Sequence, residues 1–191
     1  YRCVVDTECA SRLVTPLLNA LGAYAVQQNN SFLCGKLGEK VFSEGLTIMD
    51  ECRRCGETGS RLFDSEGVAT TEHEIVSQGI VNEYFINTYM SNKMQMPPNV
   101  EDAIRPKVEP WPEAGLDREA LMRRCGEGIL VTGFNGGNSN SSTGDYSFGI
   151  EGFAFKDGRI THPVREMLMT GNLIGLWNSL LAGGGGRRAG R

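Results

Sequence analysis

The stretch FNGGNSNSSTGDYSFGIEGFAFKDGRITHPV, residues 134–164, decides how the chain is organised. Its first half is crowded with Asn, Gly and Ser, residues that accept positive φ or hydrogen-bond their own backbone. A phosphate cradle, a flexible linker and a shaped loop all fit that composition. A phosphate cradle needs glycine amides feeding a helix N-terminus, with a lysine in the GxxxxGK[ST] place. No lysine stands there, and an aromatic alternation follows instead of a helix. Tyr146, Phe148 and Ile150 alternate on one face, and Phe153 and Phe155 take the other, with Gly152 marking a bulge between them. Asp157–Gly158 favours a type I′ turn. The stretch therefore reads as strand, loop, strand and hairpin.

Working outward, GILVTGF before the loop is a strand, and LDREALMRRCGEG before that is a helix capped by Asp117 and ended by Gly126. Residues 97–116 hold five of the seven prolines and read as a loop or crossing segment. GLTIMD is a strand ending at acidic residues. EIVSQGIVNEYF holds two short strands with Gly79 in the turn, and residues 90–96 form a short helix stopped by Pro97 and Pro98. RCVVD opens the chain as a buried strand. The apolar spacing of Ala10, Leu13, Val14, Leu17, Leu18 and Leu21 marks a helix from about Glu8 to Leu21 after it, capped by Asp6 or Thr7. Pro16 lies inside that pattern, and the alternative is a start near Thr15, with Thr15 as cap and Pro16 at the first helical position. GNLIGLWNSLLA is a final short helix, and GGGGRRAGR is a low-complexity tail. Scattered helices with hairpins give an α+β class with antiparallel sheets.

Composition excludes some functions. The net charge is −4 and the pI near 5.3, which argues against nucleic acid as a partner. No apolar run is long enough to span a membrane. Six cysteines, irregularly spaced, do not make a disulfide scaffold, and reduced thiols in a cytosol are expected. The chain opens without Met or a signal peptide, which reads as a fragment.

The motifs that tempt a catalytic reading each lack a partner. Cys52 and Cys55 have CxxC spacing, but a zinc site needs a second pair. His73–Glu74 lacks a second His one helical turn later, and His162 is the only other histidine. Asp64 and Glu66 are two apart and read as turn-capping carboxylates. Ser141, Ser142 and Thr143 could hold a nucleophile, yet no base is identifiable.

Several segments, in order, resemble the TldD/PmbA peptidase family, also described as modulators of DNA gyrase. They are SFLCGKLGEKVFSEGLTI (31–48), SRLFDSEGVAT (60–70), GIVNEYFINTY (79–89), VTGFNGGNSNSSTGDYSFGIEGFAF (131–155), DGRIT (157–161) and GN (171–172). The resemblance implies that residues 1–182 are a TldD/PmbA C-terminal domain whose N-terminal domain is missing, with 183–191 a disordered Gly/Arg tail. Two branches are known in it: TldD, with a helical HExxxH that holds a metal with a further cysteine, and TldE (PmbA), without those ligands. The slot for HExxxH falls near residues 14–19, which read VTPLLN. The chain therefore resembles the TldE branch. That implies no catalytic residue, metal or cofactor of its own, zinc in a TldD-type partner, a cytoplasmic heterodimer, and a role in peptide cleavage. Asn135, Asn138, Asn140, Ser141, Ser142, Thr143 and Asp145 are the candidate residues for lining an extended-peptide cleft. An autonomous hydrolase using the Ser/Thr loop, or Asp145, and a purely structural interaction module remain the alternatives.

Overall fold

The structure is a computed structural model, and it describes residues 1–113 and 115–184. Two compact units emerge. The first holds Tyr1–Pro16, Pro110–Asn140 and Gly144–Arg191; the second holds Leu17–Glu109 and Ser141–Thr143.

The first unit is built on a four-stranded sheet in the order β1-β6-β7-β8. β1 (Cys3–Val5) runs parallel to β6 (Glu127–Ser139), while β7 (Asp145–Lys156) and β8 (Arg159–Asn172) continue antiparallel. Period-2 alternation sorts the two faces. Leu130 and Phe155 pack with Val4, Met122 and Cys125 in one buried cluster. Ile129, Val131 and Ile150 form the other, flanked by half-buried Phe134, Met167 and Met169. Helix α4 (Arg118–Cys125) supplies Met122 and Cys125 to the first cluster, and Asp117 caps it by accepting the Ala120 N–H at 2.7 Å. The Asp157–Gly158 turn has φ of 49° and 82° at its two residues, as a type I′ hairpin requires.

Two strands reach further than the sequence pattern implies. β6 continues through the glycines to Ser139, and β8 runs on to Asn172. Both extensions are irregular. β6 steps in register between Val131 and Gly133 and between Phe134 and Gly137, while β8 takes a positive φ of 59° at Glu166. Bulges let residues without strand propensity stay in a ladder whose neighbours hold it in place. β8 is the sheet edge, and Pro163 and the Glu166 bulge interrupt it, a common protection against edge-to-edge association.

Helix α1 (Ser11–Ala20) starts four residues earlier than Thr15 and carries Pro16 in its interior. Interior proline forfeits one backbone bond and costs about 3 kcal/mol. The turn before α1 is already closed, with Cys9 and Ala10 N–H on Asp6 O at 3.1 and 3.0 Å. Leu13, Leu17 and Leu18 are buried on one side of it. Nucleation is thus complete before the proline is reached, and burial outweighs the lost bond.

The second unit contains α2 (Ala23–Gln27), α3 (Thr88–Met94) and a small antiparallel sheet in the order β4-β3-β2-β5. Its strands are β2 (Ile48–Asp50), β3 (His73–Ser77), β4 (Ile80–Val81) and β5 (Pro106–Val108). β5 lies in the proline-rich segment read above as a loop; Pro106 opens the strand, where a missing N–H is tolerated. Gly79 has φ 82°, and a Cβ there would stand 2.1 Å from Phe42 O, so only glycine fits this turn. All six cysteines are free thiols, and Cys52 is buried, its pKa pushed up by burial. That environment suits a packed thiol and not a reactive one. Of the tail at 183–191, residues 185–191 lie outside the described residues. Gly183, within it, exchanges backbone hydrogen bonds with Trp111.

His73 is paired with a carboxylate inside the second unit. Its Nε2 lies 2.6 Å from Glu83 Oε1, and its Nδ1 lies 2.6 Å from Thr71 O. Asn99 Nδ2 in turn donates to Glu83 Oε2 at 3.0 Å. The hydrogen bond to Glu83 raises the His73 pKa to about 9, against the opposing effect of burial. A folded pKa above the unfolded one means that the stabilisation is complete below pH ~6.5 and is lost as pH rises through ~9. Urea melts at pH 6 and pH 9.5 should differ by roughly 2–3 kcal/mol in the second unit, and His73→Gln should abolish that difference.

Candidate functional site

The end of β6, before its connection to β7, is shaped by its glycines. Asn135 and Gly136 are looped out of the ladder opposite Gly149. The Asn135 Oδ1 atom would stand 2.1 Å from a Cβ at position 149, so its amide lies across a glycine that leaves room for it. Gly137 has φ 95°, and a Cβ there would meet Ser147 O at 2.1 Å. Beyond the bulge, Asn138 Oδ1 accepts the Ser139 N–H at 2.8 Å. Asn140 N–H donates to Asp145 O at 2.8 Å, and Gly144 N–H closes back on Asn140 O at 2.8 Å.

Asp145 has a clear structural task. Its Oδ1 accepts from Asn172 Nδ2 at 2.9 Å, while Asn172 Oδ1 caps helix α5 (Leu173–Asn178) through the Ile174 N–H at 3.0 Å. Leu173 N–H adds a bond to Gly144 O at 2.8 Å. The GD pair at the start of β7 and the GN pair at the end of β8 are thus one lock. Asp145→Ala should cost about 1–2 kcal/mol, because it leaves the Asn172 amide without this partner. Thermal unfolding of the variant measures it, with Asp145→Asn keeping part of the bond.

Ser141, Ser142 and Thr143 group with the second unit. There Phe32 N–H donates to Ser141 O at 2.9 Å, and Ser142 Oγ donates to Asn30 Oδ1. An amide oxygen is no general base, so this contact does not activate the hydroxyl.

An aromatic group backs the glycine bulge in the first unit. Phe148 stacks on Tyr146 with centroids 5.3 Å apart and meets Phe134 edge-on at 5.8 Å. The Arg12 guanidinium lies 5.1 Å over the Phe148 ring and donates through Nη2 to Gly137 O at 3.0 Å. Arg12 went unsingled by the sequence pattern, since one arginine in a helix gives no signal. Only the fold sets it beside the loop.

Positions 14–19 lie on α1 and read Val14, Thr15, Pro16, Leu17, Leu18 and Asn19. Zinc takes imidazole, thiolate or carboxylate ligands, and none is offered on this helix segment. His73, in strand β3, and Glu74 are not part of it. Among the described residues, no group of three or more His, Cys, Asp or Glu is placed to hold a metal ion.

With this geometry in place, the similarity to known proteins becomes specific. Residues 1–188 match the profile of the PmbA/TldA metallopeptidase C-terminal domain. The chain belongs to that family. The PmbA metalloprotease of Escherichia coli O157:H7 is 30% identical over 95% of this chain and 40% of its own length. A PmbA homologue of Haemophilus influenzae is 32% identical over 92% of this chain and 39% of its own. Among solved structures, a candidate modulator of DNA gyrase from Bacteroides thetaiotaomicron superposes with a TM-score of 0.90 at 48% identity, covering 96% of this chain and 41% of that one. TldE of Thermococcus kodakarensis shares the fold, with a TM-score of 0.76 at 20% identity over 93% of this chain and 45% of that one. The chain thus spans about two fifths of the length of these PmbA/TldD relatives. Within this PmbA/TldD domain, no helix among the described residues is long and apolar enough to cross a membrane.

Proposed function

We propose that this chain is the C-terminal part of a non-metal, TldE-type subunit of a cytoplasmic peptidase complex, paired with a TldD-type subunit that carries zinc. The observation that carries the reading is the donor set of α1: the helix segment that resembles the metal-binding slot presents Val14, Pro16, Leu17 and Leu18 in place of His and Glu. The relatives are named metalloproteases, but Val14, Pro16, Leu17 and Leu18 offer no imidazole, thiolate or carboxylate, so this segment does not fit a metal and no catalytic step is assigned to it.

The task left to such a subunit is to pair with its partner and hold substrate. An extended peptide is held without regard to sequence by backbone hydrogen bonds to a strand edge. β8 pairs on one side only in its sheet, and its run at 167–172, past Pro163 and the Glu166 bulge, is the part of that edge proposed to take the peptide. Asn135 and Asn138 at the end of β6, Asn140, Ser141, Ser142 and Thr143 after it, and Asp145 at the start of β7 are the residues proposed to contact that peptide.

Co-purification with a metal-bearing partner, followed by peptide cleavage by the pair and by each part alone, tests the reading. Cleavage by the pair only is expected. Stoichiometric zinc on this chain alone would sink it. Peptide cleavage by this chain alone, lost in Ser142→Ala, would instead favour an autonomous hydrolase.

A further inference from the structure

We propose that Arg12 anchors a carboxylate of the bound peptide. The proposal rests on the extended-peptide reading and adds a polarity to it.

The guanidinium is fixed on two sides. The Phe148 face lies beneath it at 5.1 Å, and Gly137 O holds Nη2 at 3.0 Å. Gly137 is itself held in the β6–β7 ladder opposite Phe148. Phe148 is buried, stacked on Tyr146 and braced by Phe134. Arg12 is nevertheless exposed.

Its charge is also unanswered. Arg54, Arg105, Arg118, Arg123 and Arg124 pair with carboxylates, while Arg12 shares the lack of such a pair with Arg2, Arg53, Arg61, Arg159 and Arg165; among the described residues, Arg12 is the one of these that lies over an aromatic ring. The two acids just before α1 do not reach it: Asp6 pairs with Arg118 at 3.2 Å, and the Glu8 carboxylate makes no ion pair among the described residues. The first turn of α1 carries no acidic residue, so the positive end of its dipole adds to the same sign. A surface arginine kept only for solubility loses nothing by moving freely. One that is clamped by a ring, and by a carbonyl on one Nη2 hydrogen, keeps the other Nη2 hydrogen, beside Nη1 or Nε, as a fork preorganised for two oxygens. Asn138 stands next to Gly137, and its exposed amide nitrogen is a further donor of matching chemistry.

The ligand chemistry is a carboxylate, from a peptide C-terminus or from an acidic side chain. Fluorescence anisotropy on the full-length protein separates these with three otherwise identical peptides: a free acid without acidic side chains, its C-terminal amide, and the amide with one internal Glu. The free acid should bind about tenfold tighter than the plain amide, as loss of one charge-assisted bond predicts. Arg12→Gln should erase that preference and leave the amide affinity unchanged. Arg12→Lys should keep only part of it, because an ammonium lacks the fork. A Glu-bearing amide that matches the free acid assigns the anchor to side chains and still supports it. Equal affinity of the wild type for all three peptides, or a preference that survives intact in both variants, would overturn the anchor and leave the extended-peptide reading standing. No peptide binding at all would overturn both. If Arg12→Gln melts early, Arg12→Lys carries the test alone.

Discussion

Asp50→Ala should lower the stability of the second unit by about 3–5 kcal/mol, more than any single truncation on its surface. Asp50 is fully buried at the end of β2. Its two oxygens accept the N–H groups of Ile104 and Arg105 at 2.8 and 2.6 Å, so the carboxylate takes the place of a strand partner for the segment entering β5. Truncation leaves two half-buried donors unanswered and cuts the tie between residues far apart in the chain. Next to it, Glu51 is also buried and meets Arg54 at 3.1 Å, Arg105 at 3.3 Å and Lys107 at 3.3 Å. Arg105 further pairs with Glu57, and Lys107 with Glu109. This network fixes the outer side chains once Asp50 has fixed the backbone. Urea melts followed in both variants check the ranking: Asp50→Asn, which retains one acceptor oxygen, should recover less than half of the loss. An Asp50→Ala protein that melts within 1 kcal/mol of wild type would show that water replaces the carboxylate at no real cost.

The second large effect is expected at Gly137. An alanine there meets Ser147 O at 2.1 Å and must also hold a φ of 95°, so steric overlap and backbone strain act together. A loss of about 3–4 kcal/mol in the first unit is expected, with the bulge displaced and the Arg12 bond to Gly137 O broken. Gly136 is the internal control. It too has positive φ, at 116°, but a Cβ there finds nothing within 4 Å. Gly136→Ala should therefore cost only the strain, about 1–2 kcal/mol. Thermal melts of the two variants side by side decide the matter, and equal costs would mean that the ladder can open around position 137.

The largest elements were legible because their signals are local. The Tyr146, Phe148, Ile150 alternation, the Asp157–Gly158 turn, the Asp117 cap and the Gly79 hairpin each depend on neighbours within a few residues, and the structure carries all four. The failures were non-local. A strand at 106–108 is invisible in a proline-rich segment because Asp50 and β2, more than fifty positions away, hold it. The glycine run after Phe134 passes for loop because a bulged ladder borrows its order from β7. The helix start at Ser11 falls between the two starts that the pattern allows, near Glu8 and near Thr15, because burial overrides the cost of Pro16.

By itself the sequence determined the α+β class, the family and the absence of His and acid from residues 14–19, since residue identity and short-range pattern are enough for each. Only the tertiary structure decided what the loop residues do. It ties Asp145 to Asn172, sets the Asn135 amide across Gly149, and brings Arg12 from an unremarkable helix to the ring of Phe148. Those partners are separated by tens of residues, and no spacing rule encodes a contact that packing creates.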